Sequence, residues 1–171
     1  MRLLAYLFLV SFATAQTPAG GKWTLAVTTD KLTDVKTEVF TLTSDSPVTD
    51  NGVTSAPTLS LLCNGGGHFE GAQLQTGVVL AVSDDPTSHL YKVRVRIDKK
   101  ISDMFWNRYE DGKTLGLLDK GFLGNKRYVM KLLEANDLRI ELPALSGYSA
   151  VAQFSPAGLK RDMLAKSCGL R

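Results

Sequence analysis

The stretch Leu90-Tyr91-Lys92-Val93-Arg94-Val95-Arg96-Ile97-Asp98 alternates from Tyr91 onward between apolar and polar side chains. Tyr91, Val93, Val95 and Ile97 fall on one side, and Lys92, Arg94, Arg96 and Asp98 on the other. Successive side chains of a strand point to opposite faces, so this period of two predicts a strand with one side in a core and one in water.

Further strands are expected at residues 23–27, 37–43, 58–63, 77–82, 138–142 and 150–154. Residues 105–110 and 113–118 flank Asp111-Gly112, a dipeptide suited to the positive-φ positions of a tight hairpin. Residues 43–57, with Ser, Asp, Asn, Gly and two prolines, read as an irregular connection. Residues 16–21 (Gln-Thr-Pro-Ala-Gly-Gly) read as a flexible leader.

Two helices are expected late in the chain. Asn125 is placed to cap the first, which carries Val129, Leu132 and Leu133 on one side and ends near Asn136. For the second, Ser155 is a natural N-cap and Pro156 suits the first helical position, where its missing N–H costs nothing. Leu159 and Met163 then share a face, and Gly169 ends that helix just past Cys168. The expected fold is mainly β: a β-sandwich or half-open barrel with two short helices in the C-terminal half capping one end. No repeat, low-complexity tract or linker divides residues 22–171, which are expected to form a single β domain.

Upstream, residues 1–15 carry one positive charge, then a short apolar run ending in Ala13-Thr14-Ala15. This pattern predicts a signal peptide cleaved after Ala15. The apolar run is about a dozen residues, against roughly 20 for a membrane-spanning helix. No later apolar stretch is long enough to span a bilayer, so the mature protein is expected to be soluble, without an integral membrane segment, and periplasmic or secreted. The formal net charge is +3. It falls to about +2 without Arg2, too small an excess to argue for nucleic acid or an anionic membrane. Lys99, Lys100, Lys120, Lys126, Arg127 and Lys131 are scattered among acids and read as a solvated face.

Cys63 and Cys168 are the two cysteines of the chain. In an oxidising compartment they most simply form one disulfide. It closes a loop of about 105 residues, and loop-closure entropy assigns a loop near 100 residues about 4.7 kcal/mol. A redox-active pair is normally closely spaced, so this bond reads as structural.

No catalytic motif survives inspection. Gly112-Lys113-Thr114 resembles the end of a phosphate-binding loop, but Asn107 stands where that motif needs a glycine. Asn64-Gly65-Gly66-Gly67 follows a strand with no helix-opening pattern behind it, and reads as a flexible loop whose glycines would let a ligand approach closely. His68 and His89 lack companions at metal-ligand spacing, so no metal or cofactor is expected. A nucleophilic serine would need a turn such as G-x-S-x-G, which is missing. The acid pairs Glu110/Asp111 and Asp84/Asp85 sit in turn sequences, where solvation is the ordinary fate. Trp23 and Trp106, on strands, read as core.

Several segments together resemble the VasI/TagO family of type VI secretion accessory proteins. They are Trp23-Thr24-Leu25-Ala26-Val27 with Leu32-Thr33-Asp34; Pro57-Thr58-Leu59-Ser60-Leu61-Leu62-Cys63; Val95-Arg96-Ile97-Asp98 with Trp106 and Asp111; and Phe154 with Gly158-Leu159, Leu164 and Cys168-Gly169. The resemblance runs over nearly the whole mature chain but is diffuse, and Leu170 stands where the family tends to carry tryptophan. It implies a small periplasmic or outer-membrane-associated protein with no established catalytic residues, associated with a contractile secretion apparatus. The expected function is therefore that of an exported, non-enzymatic accessory protein of the bacterial cell envelope. Its partners would be envelope or secretion-apparatus proteins, and Arg94, Arg96 and Asp98 offer the candidate partner surface. Arg96 and Asp98 could equally form a plain intramolecular pair. Two rival expectations are a cell-wall-directed enzyme or hydrolase inhibitor, the latter acting through the loop at 64–69, and a secreted host-interaction factor.

Overall fold

The alternating stretch at 90–97 is a strand in the computed structural model, which describes residues 16–81, 90–117, 125–143 and 149–170. The expected signal peptide, the acid pair Asp84/Asp85 and His89 lie outside the described residues. In chain order the elements are β1 (Gln16–Gly20), β2 (Trp23–Thr29), β3 (Lys36–Thr43), β4 (Val48–Asp50), β5 (Val53–Ser55), β6 (Thr58–Asn64), β7 (His68–Gln75), β8 (Leu90–Ile97), β9 (Lys100–Arg108), β10 (Thr114–Gly116), α1 (Asn125–Glu134), β11 (Leu138–Pro143), β12 (Ser149–Phe154) and α2 (Arg161–Cys168).

Ten strands form one antiparallel sheet in the order β1-β2-β3-β6-β7-β10-β9-β8-β11-β12, and β4 and β5 make a separate hairpin. The fold is mainly β, with two helices and one disulfide, as expected. Its sheet does not close into a barrel. The two ends nevertheless meet through the segment that follows β12. Lys160 N–H donates to the Ala19 carbonyl at 2.9 Å. The Trp23 indole N–H donates to the Pro156 carbonyl at 2.7 Å. Gly20 makes this approach feasible, because a Cβ there would lie 2.3 Å from the Gly158 carbonyl oxygen.

Alternation supplies the core from each strand in turn. Phe40 and Leu42 of β3, Leu59 and Leu61 of β6, Val93 and Val95 of β8, and Ile140 and Leu142 of β11 are all fully buried. Each such side chain contributes about 1.5–3 kcal/mol relative to exposure. Trp23 and Trp106 join them at 1% exposure, so both tryptophans are core residues. α1 adds Val129, Leu132 and Leu133 from one face, as its periodicity predicts. α2 packs on β6 and β7.

Several expectations need correction. Residues 16–20 are not a flexible leader but an edge strand, paired with β2 and burying Ala19 completely. Proline is tolerated there because an edge strand has one row of amides without ladder partners. The connection at 43–57 contains the β4–β5 hairpin. Residues 77–81 are irregular, not a strand. The Thr76 hydroxyl donates to the Val78 carbonyl at 2.7 Å, and Leu80 N–H reaches across to Gly112 O. The turn at Asp111-Gly112 is longer than a two-residue loop, closing with Tyr109 N–H on Thr114 O; of the dipeptide, Gly112 alone has positive φ.

The second helix begins six residues later than its apparent cap. Ser155 spends its hydroxyl on Asp45 at 2.6 Å, and the Pro156 carbonyl is engaged by Trp23. Helix α2 instead starts after Lys160, which makes no side-chain cap, and ends as predicted at Gly169 in the left-handed region.

Candidate functional site

The polar side of β8 lies between β9 and β11, so its residues meet partners from both neighbours. Arg94 stands directly opposite Asp103 on β9 and Glu141 on β11. Side chains directly opposite on antiparallel strands share a face and come within reach of one another. Arg94 Nε lies 3.2 Å from Asp103 Oδ1, and its Nη1 lies 3.4 Å from Glu141 Oε2. Lys92 Nζ adds a second cation 3.0 Å from Asp103 Oδ2. The Lys92 ammonium and then the Arg94 guanidinium hold the Asp103 carboxyl below its ordinary range. Asp103 in turn raises the Arg94 pKa. Four charges of alternating sign thus form a ladder across three strands.

Arg96 continues the face but faces Arg139 in the register, a like-charge pair that would repel. Asp137 relieves it. Its carboxylate lies 3.1 Å from Arg139 Nε and 3.8 Å from Arg96 Nη2.

Asp98 does not share this face. It is the first residue beyond β8 and takes a positive φ of 51°. Its carboxylate accepts N–H bonds from Asn136 and Asp137 at 3.0 and 3.1 Å, fastening the β8–β9 turn to the start of β11. The anticipated Arg96–Asp98 pair exists in altered form, because Arg96 Nε donates to the Asp98 main-chain carbonyl at 2.7 Å.

Apolar side chains complete the surface. Phe105 and Ile101 of β9 stand opposite Lys92 and Arg96 and are 65% and 62% exposed. Val151, opposite Glu141, and Leu90 extend the same face. Sequence reasoning missed Ile101 and Phe105 as surface residues because β9 has inverted polarity. Lys100 and Ser102 share the side of Met104 and buried Trp106, whereas Ile101 and Phe105 point outward. The register of β8 against β9 reveals this, and the alternation of β9 alone points the wrong way.

Comparison with protein-family models, with curated proteins and with solved structures finds no match.

The remaining candidates fall elsewhere. Cys63 at the end of β6 and Cys168 at the end of α2 are joined by the expected disulfide, with Cα atoms 5.0 Å apart and both residues fully buried. The loop at 64–67 is a fastened turn, not a flexible one. Asn64 Oδ1 accepts from Gly66 and His68 N–H, Asn64 Nδ2 donates to Glu70, and Gly65 N–H donates to Lys36 O at 2.7 Å. His68 opens β7, a strand that sequence reasoning did not place, and its side chain is exposed. Among the described residues no group of three His, Cys, Asp or Glu gathers at metal-binding distance. Among the same residues, no helix is long and apolar enough to cross a membrane.

Proposed function

We propose that this chain is an exported, non-enzymatic accessory protein of the bacterial cell envelope. In this reading it acts through protein–protein contacts on the outer face of β9, β8 and β11, in the setting of type VI secretion. The observation that carries the reading is the exposure of Phe105 and Ile101 beside the Lys92–Asp103–Arg94–Glu141 ladder. Large exposed aromatics anchor interfaces, while charges of fixed geometry around them select the partner and its orientation. The ladder is internally neutralised, so affinity would come from Phe105 and Ile101, and register from Arg94. The buried disulfide supports export, since such bonds persist in oxidising compartments. The secretion setting rests on the diffuse family resemblance of the four sequence segments.

The test is recovery of envelope partners by the protein purified from its own periplasmic fraction. Phe105→Asp and Arg94→Glu should each lower partner recovery with the far-ultraviolet circular dichroism unchanged. Unchanged recovery by both variants removes this face from the function. Loss of contractile secretion on deleting the gene, restored by the parent but not by Phe105→Asp, would tie the face to that machine.

A further inference from the structure

A pocket of about 560 Å³ opens between the β8–β9 hairpin and α1, on the side of the hairpin opposite Arg94. Its size falls within the range of small-molecule sites, roughly 300–1,000 Å³. The inverted polarity of β9 finds its reason here. Lys100 and Ser102 occupy positions that elsewhere in the sheet carry core residues, because what they face is this pocket. α1 supplies the opposite wall through Tyr128, Lys131 and Glu134, spaced three apart and therefore on one side of the helix, with Ala135 just past its end. Ile97 and Met104 give the lining its apolar part on the hairpin side.

Charge accounting singles out the lysines. Three carboxylates border the pocket: Asp103 is paired with Lys92 and Arg94, Glu134 is paired with Arg161 at 2.7 Å, and Asp98 accepts from the uncharged Asn136 and Asp137 amides and so keeps its negative charge. Lys100 and Lys131 have no ion-pair partner among the described residues. The Tyr128 hydroxyl, shut away from solvent at the wall, has no hydrogen-bond partner among them either. Set against Asp98, the two lysines leave one net positive charge beside the apolar residues, which suits a ligand with one anionic group and a hydrocarbon body.

We infer that this pocket binds a small amphiphile carrying a single anionic head, a carboxylate or a phosphate. Lys100 and Lys131 hold the head, and Ile97, Met104 and Tyr128 cover the chain. This inference does not rest on the proposed partner face, with which the pocket shares Asp103 alone.

Titration with sodium decanoate and with decyl phosphate, followed by calorimetry and by amide shifts in NMR, tests it. Saturable binding is expected, with shifts centred on Met104, Tyr128 and Lys131, and the stronger of the two identifies the head group. Decanol and decyltrimethylammonium should bind at least about tenfold more weakly, the factor equivalent to 1.4 kcal/mol. The double variant Lys100→Glu/Lys131→Glu should lose the anion preference while keeping its thermal midpoint, and Ser102→Trp should block uptake from the opposite wall. Absence of saturable binding overturns the inference. So does equal binding of all four amphiphiles, or an unchanged affinity in the double lysine variant.

Discussion

The indole N–H of Trp23 donates to the main-chain carbonyl of Pro156 at 2.7 Å, joining residues 133 positions apart in the chain. Trp23 opens β2 near one end of the sheet, and Pro156 follows the strand at the other end. The bond therefore helps hold the curled sheet together where strand pairing does not. Asp45 reinforces it from outside, accepting from Ser155 and pairing with Lys22.

Trp23→Phe keeps most of the buried ring but leaves the Pro156 carbonyl without its donor. A buried group left unpaired costs about 1–3 kcal/mol, and the variant should lose about that much in urea denaturation. Trp23→Ala adds a cavity and should cost about 3–5 kcal/mol. A Phe variant as stable as the parent would show that the indole bond contributes nothing to joining the sheet's two ends.

Reducing the disulfide, or replacing Cys63 and Cys168 together by Ala, releases a loop spanning a sequence separation of 105. Loss of a native disulfide typically costs about 2–5 kcal/mol. The denaturation midpoint should fall accordingly on adding reductant, and the double variant should be insensitive to reductant. An equal response of parent and variant would rule the bond out as the source.

Gly169 ends α2 at a φ of 62°, and a Cβ there would lie 2.5 Å from the Gly67 carbonyl oxygen. Gly169→Ala faces both the left-handed penalty, about 1–2 kcal/mol, and that clash with backbone. Gly52 offers the control, having φ of 77° with open space around it. Its Ala variant should pay the conformational cost alone, so calorimetric melting should place Gly169→Ala clearly below Gly52→Ala.

Asp111 organises the β9–β10 turn. Its carboxylate accepts from the Thr114 hydroxyl at 2.6 Å and from the Lys113 and Thr114 amides, each at 2.9 Å. The Thr114 hydroxyl first, with both amides and against partial desolvation, holds its pKa below the ordinary 3.8. A carboxyl whose folded pKa is depressed contributes stability fully present above the unfolded value and lost as pH falls through the folded one. Stability should therefore drop as pH is lowered from about 4. Asp111→Asn should be less stable than the parent at neutral pH and lose less in acid. Parallel pH profiles for the two proteins would exclude this carboxylate as a source of the acid sensitivity.

The positions of β2, β3, β6, β11 and β12 and the buried face of β8 were legible because strand patterning is a property of near neighbours. So were the buried tryptophans, the apolar side of α1 and the glycine that stops α2. β7 was not legible, since Gly71 and Ala72 weaken its apolar signal and a bulge near Cys63 shifts its register. β1 hid behind a proline and two glycines, all compatible with an edge strand. Of the candidate surface, Arg94 could be read from β8 alone. Asp103, Glu141, Ile101 and Phe105 could not, because their place beside it depends on which strands adjoin and in what register.

Local chemistry, then, was enough to specify the positions of most strands, the buried face of β8, an apolar helix side and the bond between Cys63 and Cys168. The joining of the open sheet's two ends was settled in three dimensions, where Asp45 and Trp23 claimed the Ser155 hydroxyl and the Pro156 carbonyl and moved the start of α2 to Arg161. The same is true of the pocket, which exists because β9 turns Lys100 and Ser102 toward α1. Periodicity reports which side of an element is apolar; only packing determines what that side meets.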